Sequence, residues 1–113
     1  MQNPAQAFFE KNKLDREKMR EQLPEVMQGF MGLFQKIMME GSLTAREKEL
    51  VALGMAIALR CVPCINLHTK KCIDMGVTKE QVLEVASVAV MMQGGPGFTY
   101  IPVVMDAIEA CGK

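Results

Sequence analysis

The sequence predicts an all-α, single-domain bundle of about six helices that assembles into an oligomer. Three observations lead to this prediction. Apolar residues recur at helical spacing along most of the chain, whereas strand patterns are nearly absent. A length of 113 residues leaves room for one domain. Half of the residues are hydrophobic, so part of the apolar surface is expected to be buried between subunits.

The charge composition argues against nucleic-acid and membrane partners. The chain has 13 basic and 13 acidic residues, so it lacks the positive charge of a nucleic-acid binder. The longest uncharged run, Val85–Met105, could span a bilayer by length, but Gln93–Gly97 and Pro102 interrupt it. Charged residues are frequent from Glu10 to Arg20, and Met1–Arg20 lacks the apolar segment of a signal peptide, so we expect a cytoplasmic protein.

Two N-terminal helices are expected within residues 1–40. The first follows the amphipathic stretch Gln6–Leu23, and Pro24 suits the first turn of the second. The second helix carries a stripe of Met, Phe, Leu and Ile between Met27 and Met38, and Gly41 ends it. This stripe and most of the 11 methionines are expected to pack in the core or between subunits.

The third and fourth helices begin a motif-bearing core over residues 43–110. Thr44 and Glu47 form a capping box, and Leu50–Leu59 is apolar on every side, which predicts burial all round. Pro63 then opens the fourth helix, which runs to about Met75 with Gly76 just beyond its end.

The last two helices follow the same signals. Thr78 and Gln81 form a second capping box, which starts a mostly apolar helix over Glu80–Met92. A Gly-Gly-Pro-Gly turn is then expected, followed by a final helix from about Phe98 to Ala110.

The segment with chemical potential is Cys-Val-Pro-Cys-Ile-Asn-Leu-His, from Cys61 to His68. On a helix, Cys61, Cys64 and His68 lie within about 60° of one another on one face. Cysteines at i and i+3 in a first turn lie near the separation that a disulfide requires. The helix N-terminus favours a thiolate at Cys61. His68 lies one turn beyond Cys64 and can exchange a proton with the Cys64 thiol. These features predict a redox-active dithiol.

A metal site is the alternative interpretation of the same residues. Cys72 also falls on this stripe, but Cys61, Cys64, His68 and Cys72 span about 16 Å along a helix axis, too far for one tetrahedral zinc ion. No second ligand pair occurs elsewhere, so we expect no metal, and Cys72 and Cys111 are interpreted as buried thiols. Nor does the sequence encode a binding motif for a flavin, nicotinamide or lipoyl cofactor.

The spaced set Glu49, Arg60-Cys61-x-x-Cys64-x-x-x-His68 and the later Gly94-Gly95-Pro96 resembles AhpD-like proteins of the carboxymuconolactone decarboxylase superfamily. The resemblance covers roughly 43–110 and implies an all-helical fold, a homohexamer and thiol-dependent peroxidase or disulfide-reductase activity. It further implies that Cys61 and Cys64 are the redox pair, with His68 and Glu49 as the proton relay. One departure is Pro63, because AhpD itself has a histidine between its two cysteines.

The residues alone connect Glu49 to this site less directly. In one continuous helix Glu49 would lie about 18 Å from Cys61, so the two can meet only if the chain folds back near Arg60. The leading hypothesis is an oxidoreductase that acts on a peroxide or disulfide and receives electrons from an external thiol or protein. The alternatives are a carboxymuconolactone decarboxylase-like enzyme, in which the cysteines would be idle, and a non-enzymatic thiol redox sensor.

Overall fold

The structure, a computed structural model, describes residues 2–113 and confirms the all-α prediction. Six helices of at least ten residues and one four-residue helical turn account for its regular structure, and residues 2–113 contain no strand. In chain order they are α1 (Pro4–Gln22), α2 (Pro24–Met38), α3 (Ala45–Ala58), α4 (Val62–Asp74), α5 (Lys79–Gln93), α6 (Gly95–Phe98) and α7 (Ile101–Ala110). None of these helices is long and apolar enough to cross a membrane.

The predicted capping boxes start α3 and α5. The Thr44 hydroxyl accepts a hydrogen bond from the Glu47 backbone N–H, and the Glu47 carboxylate accepts one from the Thr44 N–H. Thr78 and Gln81 repeat the arrangement at α5. Gly76, at φ 86°, follows the end of α4 in the left-handed region, as the sequence predicted.

The core lies between α3, α4, α5 and α7. Helix α3 packs against α4 and α5, and α4 also packs against α7. Apolar side chains from all four helices fill the space between them. The large apolar side chains that are fully buried in this core are Leu53, Ile57, Ile65, Val82 and Val104.

Helices α1 and α2 flank this core and are held to it by polar contacts at their ends. The Asn3 side chain donates to the Asp106 carbonyl at 3.0 Å, which fixes the start of α1 against α7. Lys48 Nζ donates to the carbonyls of Ile37 and Met39, at 2.7 and 2.8 Å. Since these carbonyls lie at the end of α2, Lys48 fixes that helix end beside α3.

The prediction that Leu50–Leu59 is buried on every side is wrong for the single chain. Val51, Met55 and Leu59 are 55%, 58% and 71% exposed. The reason is geometric, because α4 and α5 cover only part of the α3 surface and no helix of the same chain covers the rest. The exposed apolar residues of α5 show the same pattern: Val88, Met91 and Met92.

The stripe on α2 is also incompletely buried, since Met31, Phe34 and Met38 are only half-buried. Met27 is buried, but Phe30, Leu33 and Ile37 are all more than half exposed. The core interpretation of this stripe is therefore wrong within one chain, since α2 packs only lightly on the bundle. Several methionines elsewhere are equally exposed, so packing in the core of the single chain does not explain the methionine content.

The connection after α5 differs from the prediction as well. The Gly-Gly-Pro-Gly segment forms the helical turn α6, and the final helix begins at Ile101 rather than at Phe98. Gly97 permits this turn because a Cβ there would lie 3.1 Å from the Ala89 carbonyl oxygen of α5.

Candidate active site

The site is built on a sharp reversal of the chain between α3 and α4. Arg60 adopts φ 56°, the left-handed conformation usually left to glycine. The Arg60 N–H donates to the Ile57 carbonyl and the Cys61 N–H to the Ala56 carbonyl, which closes the end of α3. This reversal lets α4 run back along α3, so residues early in α3 face residues in the middle of α4.

Cys61 and Cys64 lie at the start of α4. Cys61 is the N-cap residue, and its sulfur accepts a hydrogen bond from the Cys64 N–H at 3.3 Å. The two cysteines form a disulfide with a Cα–Cα separation of 5.2 Å, and both are partly exposed. Pro63 occupies the first turn, where its missing N–H costs no hydrogen bond. The two cysteines are joined as a disulfide here, and once they are reduced the N-terminus of α4 would also stabilise a thiolate.

Glu49 and His68 meet across the α3–α4 interface. His68 Nδ1 and Glu49 Oε2 are 2.8 Å apart, and the side chains are 17% and 5% exposed. When the Glu49 carboxylate is ionised it only accepts hydrogen bonds, so Nδ1 of His68 is then the donor, and a neutral ring keeps its lone pair on Nε2. The arrangement holds the imidazole in one orientation, with one nitrogen able to accept a proton.

The remaining cysteines differ from this pair. Cys72 is fully buried, one helical turn beyond His68. Burial, and secondarily the Glu49 charge, raise the pKa of the Cys72 thiol to about 12, so this thiol stays protonated at neutral pH. Cys111 is only partly buried, which corrects the expectation of a fully buried thiol there, but burial still raises its pKa. Neither thiol is reactive in this state.

A cavity of about 370 Å³ adjoins His68 between α1, α2 and α4. Phe34 of α2 stacks on the His68 ring, with the ring centroids 6.4 Å apart and the planes 21° apart. Phe30, Met31 and Leu67 add further apolar surface. Sequence reasoning placed the α2 residues in a packed stripe and missed their contact with the site, because that contact depends on how α2 docks.

The structure brings the four sequence-predicted site residues together as two pairs, the Cys61–Cys64 disulfide at the start of α4 and the Glu49–His68 contact between α3 and α4. The spacing of the cysteines and histidine places them on one face of the start of α4, and the reversal at Arg60 brings Glu49 to the histidine. Within residues 2–113, no three His, Cys, Asp or Glu side chains are grouped closely enough to hold a metal ion.

In a comparison with known protein families, a sequence model described as the carboxymuconolactone decarboxylase family matches residues 24–101. This segment covers the stripe on α2, the whole of α3–α5 and all four site residues.

Three sequence relatives show similarity over part of the chain. An uncharacterized Cupriavidus necator protein is 36% identical over 77 residues, which are 68% of each chain. A Paracoccus denitrificans protein encoded in a cox locus, also uncharacterized, is 32% identical over 63% of this chain and 64% of its own. An alkyl hydroperoxide reductase AhpD from Corynebacterium kroppenstedtii is 34% identical over 57% of this chain, but only 37% of its own length.

Two solved structures share the fold. An apo carboxymuconolactone decarboxylase family protein from Legionella pneumophila superposes with a TM-score of 0.91 and 31% identity, covering 99% of this chain and all of that one. A Thermotoga maritima protein of the same family, suggested to take part in the antioxidative response, has a TM-score of 0.74 and 23% identity. It covers 92% of this chain and 86% of its own, and at that identity it supports the fold alone.

Proposed function

The chain belongs to the carboxymuconolactone decarboxylase family, and from this premise we propose that it is a thiol-dependent oxidoreductase that reduces a peroxide or a disulfide. Two contacts on the same helix carry the proposal: the disulfide between Cys61 and Cys64 at the start of α4, and the hydrogen bond of His68 to the buried Glu49 carboxylate. The similarity to an AhpD peroxidase over part of the chain supports the same chemistry.

The reaction begins with both cysteines reduced. One thiolate attacks the distal oxygen of a hydroperoxide, the O–O bond breaks, and the alkoxide takes a proton and leaves as an alcohol. The attacking cysteine becomes a sulfenic acid. The second cysteine attacks that sulfur, which forms the disulfide and releases water. One hydroperoxide is thereby reduced by two electrons, and the dithiol is oxidised by two.

With a disulfide substrate the same pair acts by thiol exchange. The first thiolate forms a mixed disulfide and releases one thiol, and the second cysteine releases the other thiol as the Cys61–Cys64 disulfide closes. An external thiol or protein reductant then opens that disulfide for the next cycle. The proposal needs no bound cofactor, since sulfur carries all the electrons.

His68 and Glu49 serve the proton transfers. Nε2 of His68 accepts the proton of a cysteine thiol and returns it to the leaving alkoxide or thiolate. Glu49 receives the Nδ1–H hydrogen bond and stabilises the imidazolium that forms in between. Cys64 precedes His68 by one helical turn, so it is the thiol that lies nearer along the helix to this base.

We also propose that the protein acts as a homo-oligomer. Exposed apolar residues on α3 and α5 support self-association, because exposed apolar surface of this kind is typical of protein–protein interfaces. A hexamer is the stoichiometry implied by the resemblance to AhpD-like proteins.

The proposal is tested by turnover of an alkyl hydroperoxide with dithiothreitol as reductant. Wild-type protein should consume the peroxide catalytically, and Cys61→Ser and Cys64→Ser should fall to the uncatalysed rate. Cys111→Ser is the matched control and should retain activity, since that thiol lies at the far end of α7. Thiol counting on the native protein should show the loss of two thiols on mild oxidation.

The alternatives give different results in the same assay. A redox sensor would lose two thiols once without turnover. A decarboxylase would leave the peroxide unconsumed and, when supplied with a carboxylated lactone instead, would decarboxylate it equally well in wild-type and Cys64→Ser protein. Either result would overturn the oxidoreductase proposal.

A further inference from the structure

The cavity beside His68 has a charge pattern that the dithiol chemistry does not require. We propose that it binds an amphipathic organic carboxylate, with the apolar body against α2 and the carboxylate at Arg16 and Lys71. The inference rests on the proposed function in one respect, because the group that the dithiol reduces would be a hydroperoxide or disulfide carried on the apolar body of such a carboxylate.

The wall formed by α2 suits an apolar body. Phe30, Met31 and Phe34 line it, and Leu67 of α4 faces them across the cavity. Phe30 is 62% exposed, which is high for an aromatic side chain that also lines a cavity. An apolar chain or ring placed here would remove that surface from water.

The charged part of the lining forms a cationic rim. It contains three cations, Arg16, Lys70 and Lys71, and one carboxylate, Asp74. Lys70 is already paired with Asp74 at 2.9 Å. Within residues 2–113, Arg16 and Lys71 form no ion pair with a carboxylate, so two positive charges remain available for an anion. The Arg16 guanidinium lies 3.6 Å from the Met31 sulfur, which holds it where α1 meets α2 at the cavity.

The spacing along α4 connects this rim with the reactive pair. Cys64, His68 and Lys71 occupy successive turns on one side of α4, and Cys64 and Lys71 are separated by about 10 Å of axial rise. Neither cysteine lines the cavity, so a ligand whose carboxylate contacts Lys71 lies against His68 and must extend beyond that residue to approach Cys64.

The test uses octanoate as the probe and 1-octanol as its neutral counterpart. The chain contains one histidine, so the imidazole proton signals in NMR report on His68 alone. Octanoate should shift these signals saturably, and 1-octanol should bind about threefold to tenfold more weakly, as expected for partly exposed charge pairs. Equal affinity for the two probes would overturn the anionic part of the proposal, and unmoved His68 signals would overturn the site itself.

Variants separate the cationic rim from general charge effects. Lys71→Gln and Arg16→Gln should each weaken octanoate binding severalfold and leave 1-octanol binding unchanged. Lys18→Gln is the matched control, because Lys18 is an exposed lysine of α1 outside the cavity. If Lys18→Gln weakens octanoate binding as much as Lys71→Gln and Arg16→Gln do, the proposal is overturned.

The binding experiment needs no turnover, so its outcome is independent of the oxidoreductase proposal. Octanoate binding without peroxide turnover would remove the proposed function and leave the carboxylate site in place. Turnover without octanoate binding would leave the proposed function in place and remove the carboxylate site. If a second copy of the chain fills this cavity instead, octanoate will leave the His68 signals unmoved in the assembled protein, and the proposal fails.

Discussion

Glu49 and His68 are 19 residues apart in the chain, yet their side chains meet at 2.8 Å across the α3–α4 interface. Glu49 is the one acidic residue among the buried polar side chains of residues 2–113. A buried carboxylate is costly unless it is paired, and His68 supplies the partner. The contact therefore satisfies the buried carboxylate, and in the proposed function it also orients the imidazole towards the thiol of Cys64, one turn earlier on α4.

Replacement of this carboxylate should slow the dithiol without unfolding the protein. Glu49→Gln keeps the size and a hydrogen-bond acceptor but removes the charge that stabilises the imidazolium. We expect peroxide turnover at pH 7 to fall about 100-fold, the scale of general acid–base catalysis. Stopped-flow measurement of the first reduction, with far-UV circular dichroism to check the fold, tests this.

Glu47→Gln is the matched control for that variant. Glu47 is an exposed carboxylate in the first turn of the same helix, and its hydrogen bonds with Thr44 lower its pKa. Glutamine preserves the capping box, so this variant should keep both stability and turnover. Equal activity losses in the Glu47 and Glu49 variants would contradict a specific role for Glu49.

The left-handed Arg60 provides a prediction about stability. A non-glycine residue in this conformation costs roughly 1–2 kcal/mol, whereas glycine adopts it freely but loses more entropy on folding. Arg60→Gly should therefore raise the free energy of unfolding by about 0.5–1 kcal/mol. Urea unfolding of the two oxidised proteins measures this difference.

Arg60→Asn should behave similarly, since asparagine tolerates the left-handed region better than arginine does. If both variants are instead destabilised, the Arg60 side chain stabilises the α3–α4 reversal through its own interactions, and the backbone argument is wrong.

Much of this fold could be predicted because its signals are local. Thr44 with Glu47, and Thr78 with Gln81, mark helix starts through bonds three residues apart. The spacing of Cys61 and Cys64 likewise fixed their position in a first helical turn, and the structure joins them.

The contacts that could not be predicted from the residues alone, without the family resemblance, depend on docking. Glu49 reaches His68 only because Arg60 reverses the chain, and arginine carries no sequence signal for the left-handed conformation. Phe34 stacks on His68 because α2 docks beside α4, although its helical spacing indicated packing of an unspecified kind. Burial on every side of α3 was predicted from composition, but composition does not specify which chain supplies the covering surface.

The exposed apolar surface leads to a prediction about assembly. Sedimentation equilibrium at micromolar concentration should give a mass well above the 12.5 kDa of one chain. Met55→Lys and Met91→Lys, which place a charge on the exposed surfaces of α3 and α5, should shift the mass towards the monomer. Leu14→Lys on α1 is the control and should leave the assembly unchanged. A wild-type monomer would refute the proposal of self-association.

The buried thiol of Cys72 gives a prediction about stability at alkaline pH. Its pKa is about 12 in the folded protein, against an ordinary value of 9.0, because burial disfavours the thiolate. Above pH 9 the unfolded chain loses this proton while the folded chain keeps it. The folded state is therefore disfavoured progressively as pH rises from 9 to 12, with a slope approaching about 1.4 kcal/mol per pH unit from this group.

The measurement compares Cys72→Ala with its parent in urea unfolding at pH 8, 9 and 10. Both proteins should carry Cys61→Ser and Cys64→Ser, so that thiol–disulfide exchange does not contribute. The alanine variant should be less stable at pH 8, because it leaves space in the core, but its stability should decline less steeply above pH 9. Parallel pH profiles would show that Cys72 ionises as easily in the folded chain as in the unfolded one, contrary to its burial beside Glu49.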